Sequence, residues 1–181
     1  MDQEKRRFII ADDHPLFRAA LKEALMQTFG EVEILEASSF DTLQEAVFET
    51  VEPDLVLLDL CMPGVRGFSG LIFLRGHFPA WPVIVVSANE DPVTVASAIN
   101  YGASGFIPKS SSMDQISEGI HAVLEGDIWV PDELVLNETQ DQIPSKDHEF
   151  AKRLSSLTPK QFAVLNHIVD GLLNKQIADI M

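Results

Sequence analysis

The strongest constraint on this chain is the alternation, over its first two-thirds, of short apolar runs with longer amphipathic stretches. Phe8-Ala11, the Leu55-Leu58 part of the candidate Leu55-Leu60, and the Val83-Val86 part of the candidate Val83-Ser87 are continuous apolar runs bounded by polar or turn residues. Such runs are expected of strands buried on both faces of a parallel sheet. Val32-Ala37 and Gly105-Ile107 complete a set of five strand candidates. Between them, Leu16, Phe17, Ala20, Leu21, Ala24, Leu25 and Phe29 recur at helical spacing, with Pro15 in the first turn and Gly30 just past the end. Asp41-Val51, Ser69-Phe78, Pro92-Tyr101 and Asp114-Leu124 carry the same kind of pattern. Five strand-helix units without hairpin signals predict an α/β fold: a five-stranded, doubly wound parallel sheet.

The pattern changes after Gly126. Residues from about Pro131 to Ser145 lack sustained periodicity and are expected to form a linker. Thr158-Pro159-Lys160-Gln161 then has the form of a capping box. A helix is expected through Phe162, Leu165 and Ile168, stopping at Gly171, with another from about Asn174. The expected division is residues 1–127, a linker over 128–153, and a second unit over 154–181.

Charge and cysteine content narrow the function. The chain has 13 Lys and Arg against 28 Asp and Glu, a formal net charge of −15. Basic and acidic residues number 8 and 20 in residues 1–127, and 5 and 8 in residues 128–181. Neither part forms a polybasic surface of the kind that grips a phosphate backbone. The single Cys61 excludes an intrachain disulfide and a cysteine-based zinc site. No apolar stretch approaches membrane-spanning length, so a cytoplasmic protein without a membrane partner is expected.

In an open α/β sheet, ligands bind beyond the carboxyl ends of the strands. The first strand candidate runs into Asp12-Asp13, the third contains Asp59, the fourth ends in Ser87, and Lys109 closely follows the fifth. Two like charges about 4 Å apart repel by roughly 4 kcal/mol at an effective dielectric near 20. A hard divalent cation with oxygen ligands removes that repulsion, so the acid cluster implies Mg²⁺. One carboxylate can then act as a nucleophile toward phosphorus. The cation, the Lys109 ammonium and the Ser87 hydroxyl would take up the charge of the transferring group. The five histidines, His14, His77, His121, His148 and His167, show no ligand spacing and are expected on the surface or on helix faces.

These segments resemble the two-component response regulators with a LuxR/NarL-type output domain (the FixJ family). The matching stretches are Ile9 to Phe17, Leu57 to Gly64 and Gly102 to Lys109. Leu157 to Gln161 and Gly171 to Ala178 are similar to the start of the helix-turn-helix output domain. The resemblance implies a flavodoxin-like receiver with strand order 2-1-3-4-5 and Asp59 as phospho-acceptor. It implies Asp12, Asp13, Asp59 and the backbone carbonyl of Cys61 as metal ligands, and Ser87 and Lys109 as phosphoryl contacts. Phe106 corresponds to the aromatic switch that turns inward when Ser87 moves. A cognate histidine kinase, promoter DNA and a homodimer are the implied partners, with no catalysis beyond Mg²⁺-dependent self-phosphorylation and self-dephosphorylation. Pro108 departs from the many receivers that place proline after the lysine.

Three rival functions fare worse. A haloacid-dehalogenase-like phosphatase wants a second acid two residues after its nucleophile, where Cys61 stands. A flavin or nucleotide module needs a glycine-rich loop after the first strand, whereas Asp12-Asp13-His14-Pro15 is acidic and glycine-free. The intact acid set disfavours a pseudo-receiver.

The helix from Asn174 resembles the supporting helix of the pair, and the recognition helix would follow it. Residues past about 150 are therefore expected to be loosely held, or ordered only by docking, because Phe162, Leu165, Ile168 and Ile177 lack a packing partner. Residues 1–181 alone are expected to bind promoter DNA without sequence selectivity. Fluorescence anisotropy checks this: weak, unselective binding is the expected outcome, and tight, salt-sensitive, selective binding contradicts it.

Overall fold

The computed structural model describes residues 5–49, 52–134, 153–154, 156–169 and 171–180. Residues 135–152, which hold most of the expected linker together with His148, lie outside the described residues. The first part of the chain runs β1 (Arg6–Ala11), α1 (Pro15–Phe29), β2 (Val32–Ala37), α2 (Phe40–Glu49), β3 (Leu55–Asp59), α3 (Ser69–His77), β4 (Val83–Ser87), α4 (Pro92–Asn100), β5 (Gly105–Pro108) and α5 (Met113–Leu124). The five strands form one sheet in the order β2-β1-β3-β4-β5, and every pairing is parallel.

Strand alternation explains why both faces are covered. Ile9, Val56, Leu58, Val83 and Val85 point to one side, where they pack with Leu43 and Val47 of α2, Leu71 and Phe73 of α3, and Val95 and Ala98 of α4. Phe8, Ile10, Leu55, Leu57, Ile84 and Val86 point to the other, against Leu21 and Leu25 of α1 and Ile116 and Ile120 of α5. All five residues of β3 and of β4 are buried. Each fully buried aliphatic or aromatic side chain contributes about 1.5–3 kcal/mol. β2, at one edge, is only partly buried and turns Glu33 and Glu36 to ion pairs with Arg7 and Arg18.

The helix boundaries follow local chemistry. Pro15 opens α1, and Gly30 closes it at φ +76°, a conformation that glycine adopts without strain. Asp91 caps α4 by accepting the Val93 N–H, and Ser112 with Gln115 forms a capping box on α5.

The opposite edge, β5, is covered by residues that follow α5. Trp129 donates its N–H to the Ser104 carbonyl at 3.1 Å and accepts the Phe106 N–H at 2.9 Å, a parallel bridge beside Gly105. Its indole lies flat on Gly119 of α5, where a Cβ would come within 2.7 Å of the ring. Pro131 is buried just beyond, and residues 132–134 form a 3₁₀ turn whose Leu134 packs on the core. This segment satisfies backbone groups that an open edge would expose.

Beyond the undescribed stretch lie α6 (Pro159–Val169) and α7 (Asn174–Ile180). The expected capping box is present: the Thr158 N–H donates to Gln161 Oε1 at 2.9 Å, and the Gln161 N–H to Thr158 Oγ1 at 3.3 Å. Gly171 follows α6 with φ +82°. Of the two expected alternatives for this part of the chain, docking on the receiver is the one seen at Phe162, and Ile177 is buried as well. The Phe162 ring is fully buried, 5.2 Å from Phe40 of α2 and 5.4 Å from Phe73 of α3, centroid to centroid. Leu154, Leu157 and Leu165 join the same cluster. Burying one aromatic with two others supplies the apolar area that the short helix lacks by itself. Ile168, Val169, Leu173 and Ile180 remain exposed.

Substituting Gly119 tests the covered edge. Gly119→Ala should displace the Trp129 ring and lower stability by about 1–3 kcal/mol, the usual range for overpacking. Denaturant unfolding and the emission of Trp129 check it, and an unchanged midpoint and spectrum would contradict it.

Candidate functional site

The strand order places β1 between β2 and β3, so the chain's winding reverses beside β1 and opens a crevice at the carboxyl ends of β1, β3 and β4. Asp12 follows β1 directly, with its N–H held by the Ala37 carbonyl of β2 at 3.0 Å. Asp59 is the last residue of β3, level with Val86 in β4. Ser87 is one residue further along β4, level with Pro108 of β5, and Lys109 comes next. The Lys109 N–H donates to the Ser87 carbonyl at 2.8 Å, which fixes the root of the lysine side chain at the crevice.

Asp12, Asp59 and Ser87 are the three buried polar residues among those described, each 1 % exposed. Buried carboxylates require charge-paired or hydrogen-bonded partners. Lys109 supplies them: its Nζ lies 2.8 Å from Asp59 Oδ2 and 2.8 Å from Asp12 Oδ2. The other oxygen of Asp59 accepts the Cys61 N–H at 3.1 Å, and the other oxygen of Asp12 accepts the His14 N–H at 2.7 Å. Ser87 Oγ accepts the Asn89 N–H at 3.1 Å. Asp13, half-buried, directs Oδ1 into the same crevice, where it accepts no hydrogen bond from a described residue.

Burial is the largest single influence on Lys109 and works to lower its pKa. Hydrogen bonds to Asp12 and Asp59, and their charges, outweigh it, so the pKa lies above the ordinary 10.5. The side chain is an ammonium throughout the physiological range. Its Nζ also stands 5.3 Å above the centre of the Phe17 ring, a cation–π contact from α1. Phe106 is fully buried within β5 and joins the core on the α2–α4 side. Cys61 is exposed, and its described contact is the amide N–H on Asp59.

Two further side chains at the site escaped sequence reasoning. His14 lies on the surface as expected, its side chain 60 % exposed, but its Nδ1 also reaches the acid cluster, 2.7 Å from Asp13 Oδ1 and 3.0 Å from Asp12 Oδ1. Arg18 donates from Nη1 to the Asp12 carbonyl at 2.7 Å while its Nε pairs with Glu36. The signal for His14 was its place between Asp13 and Pro15. A residue before proline is held extended, so its side chain cannot follow α1 away from the crevice. Arg18 lies one helical turn after His14 and carried no separate signal.

Side-chain oxygens of Asp12, Asp13 and Asp59 and a ring nitrogen of His14 all lie within 4.8 Å of one another. Three carboxylates on one crevice form the hard, oxygen-rich donor set that suits a divalent cation, so the residues fit such an ion. Chemically, the site offers a carboxylate at Asp59 and positive charge opposite it, with a hydroxyl at Ser87 near the strand ends.

Residues 8–121 match the response regulator receiver domain family. The glycerol metabolism activator of Pseudomonas putida is 40% identical over 175 residues, spanning 95% of this chain and 79% of its own. The DNA-binding transcriptional activator EvgA of Escherichia coli (strain K12) is 33% identical over 173 residues, spanning 96% of this chain and 81% of its own. Among solved structures, the signal receiver domain of NarL from Mycobacterium tuberculosis superposes with a TM-score of 0.61 at 33% identity, covering 68% of this chain and 98% of that one. The non-phosphorylated receiver domain of RcsB from Escherichia coli, at 22% identity and a TM-score of 0.65, covers 71% of this chain and all of its own, and supports the fold. The chain belongs to the response regulator receiver domain family and is a response regulator of the LuxR/NarL type.

Proposed function

We propose that this response regulator accepts a phosphoryl group on Asp59 from a phosphohistidine of a cognate histidine kinase. It then controls transcription through a C-terminal helix-turn-helix domain that begins near residue 154, after a receiver over about 1–127. The observation that carries this reading is the Lys109 ammonium lodged between Asp59 and Asp12 at the end of the sheet.

In the transfer, a carboxylate oxygen of Asp59 forms the new bond to phosphorus as the bond from phosphorus to the donor's imidazole nitrogen breaks. The nitrogen keeps the electron pair. Asp59 is oriented by the Cys61 N–H on one oxygen, leaving Lys109 on the other to follow the charge onto the phosphoryl oxygens. Asp12, Asp13, Asp59 and the Cys61 carbonyl would hold Mg²⁺, which neutralises phosphoryl charge when bound. Ser87 Oγ accepts the Asn89 N–H and would gain an acceptor for its own proton when a phosphoryl oxygen is present, and that differential contact biases the β4–β5 end of the sheet. Phe106 is the side chain we assign to respond. Its own N–H is held by Trp129, so the response would be felt at the entrance to the linker.

EvgA is named a DNA-binding activator, and RcsB dimers have been solved on DNA. Promoter DNA, for the full-length protein, and a second copy of the chain are accordingly the proposed partners. No described helix is long and apolar enough to cross a membrane, and we place the protein in the cytoplasm.

Intact-mass measurement with acetyl phosphate and Mg²⁺ tests the assignment. Wild type should gain one phosphoryl group, base-labile and acid-stable, while Asp59→Asn gains none and Asp13→Ala none under the same conditions. Lys109→Ala should slow the transfer by about 10²-fold or more, the usual effect of removing a charge stabiliser. Equal labelling of wild type and Asp59→Asn would overturn the assignment.

A further inference from the structure

Every polar group of Asp12 has a partner. Its N–H donates to the Ala37 carbonyl at 3.0 Å, just past the last β1–β2 pair, Ala11 with Ala37. Its Oδ1 accepts the His14 N–H, and its Oδ2 pairs with Lys109. The partner of its carbonyl is not the one the sheet would supply. A parallel ladder continued by one step would have the Ser39 N–H donate to that carbonyl. The Ser39 N–H goes instead to Thr42 Oγ1 at 3.0 Å, as does the Ser38 N–H, and β2 turns away into α2. Arg18 takes the place of the strand, donating from Nη1 to the Asp12 carbonyl at 2.7 Å.

Helix stability gives no reason for an arginine here. Arg18 closes the first turn of α1, its N–H on the His14 carbonyl, and a cation at that end opposes the helix dipole. The turn carries no acidic residue to offset it. The guanidinium is nevertheless held firmly: its side chain is 17 % exposed, and Nε pairs with Glu36 Oε2 of β2 at 3.1 Å, which sets the plane of the fork. Lys22, one turn on, takes the other Glu36 oxygen at 2.6 Å. Lys22 and Arg18 keep the Glu36 carboxyl below its ordinary range, so this anchor stays charged.

What the held peptide positions is Asp13. The Asp12 carbonyl and the Asp13 N–H belong to one planar, trans unit, so a bond that fixes the carbonyl fixes the direction in which the chain enters Asp13. Asp13 has no comparable hold of its own. Its Oδ1 accepts no hydrogen bond from a described residue, and the His14 ring beside it is mostly exposed. We propose that Arg18 is a positioning residue for the divalent cation, acting through the Asp12 carbonyl to keep Asp13 turned into the crevice beside Asp12 and Asp59. This rests on the reading of the acid cluster as a cation site.

The test titrates the 181-residue chain with Mn²⁺, which oxygen-rich sites accept in place of Mg²⁺, without phosphodonor. Free Mn²⁺ is followed by its electron paramagnetic resonance, and Mg²⁺ is added as competitor. Arg18→Met keeps an apolar stem and loses the donors. It should bind both ions about tenfold more weakly, the low end of the effect of partners behind metal ligands. Lys22→Met also breaks an ion pair to Glu36 but leaves the Asp12 carbonyl held, and should bind as wild type does. Affinities are read well below the Tm of each variant, so that lost stability alone moves neither. With acetyl phosphate, Arg18→Met should need correspondingly more Mg²⁺ for half-maximal labelling of Asp59 and reach the wild-type rate at saturation. Should Arg18→Met not fold, Arg18→Lys, which keeps the charge but not the fork, is compared in the same way and should also bind more weakly than wild type. Wild-type affinity in the Arg18 variant, an equal loss in Lys22→Met, or a labelling rate that saturating Mg²⁺ does not restore overturns the role of Arg18 and leaves the cation site standing. No Mn²⁺ bound by wild type overturns the cation site and this role with it.

Discussion

Two buried carboxylates from different strands are held together by one ammonium from a third, and most of the site depends on that arrangement. Asp12 and Asp59 sit at the ends of β1 and β3 with almost no exposure, and Lys109 spans them at 2.8 Å to each. Removing one member of such a buried set typically costs 3–5 kcal/mol, because the partners are left charged and unpaired. The apolar sheet beneath makes the exchange unavoidable: all of β3 up to Asp59 and all of β4 up to Ser87 are buried. With one ammonium shared between two carboxylates and Asp13 beside them, negative charge remains in excess. That excess is what a divalent cation in the crevice would relieve, and the acids are grouped closely enough to hold one.

Two lines of contact lead away from this cluster, each fastened by the backbone. On the β5 side, the Lys109 N–H is held by Ser87, and the Phe106 N–H by Trp129 at the entrance to the linker. On the β3 side, the loop after Asp59 passes Pro63, whose carbonyl accepts the Phe40 N–H at 2.8 Å. Gly64 stands so close to Phe40 that a Cβ would come within 2.8 Å of its Cβ, and its φ of +77° suits glycine. Phe40 in turn carries the ring of Phe162. Both lines therefore end at the part of the chain that follows the receiver. Packed interiors transmit small shifts because they have little free volume to absorb them.

Much of this was legible in the residues, for reasons that are local. β3 and β4 are announced by unbroken apolar runs, and α1 by Pro15 and Gly30 at its ends. The acids and Lys109 fall at the strand ends where an α/β sheet binds ligands. The Thr158 capping box gave the start of α6 to the residue. What was not legible depends on neighbours distant in sequence. Nothing near Trp129 indicates that it will cover the β5 edge, since the reason is a missing Cβ at Gly119 on another helix. Phe162 finds its partners in Phe40 and Phe73 more than eighty residues earlier. His14 meets Asp12 and Asp13 locally, but Asp59 and Lys109 reach it only through the sheet.

The excess negative charge of the crevice, and its relief by a divalent cation, can be read from thermal unfolding of wild type and Asp13→Asn across a Mg²⁺ titration. The wild-type Tm should rise with Mg²⁺ to saturation, as expected of an ion that binds only the folded state. Asp13→Asn should melt at or above the metal-free wild type and respond little to Mg²⁺, since one of the repelling charges is gone. A wild-type Tm indifferent to Mg²⁺, or an Asp13→Asn variant that melts well below metal-free wild type, would mean that the crevice carries no repulsion for a cation to relieve.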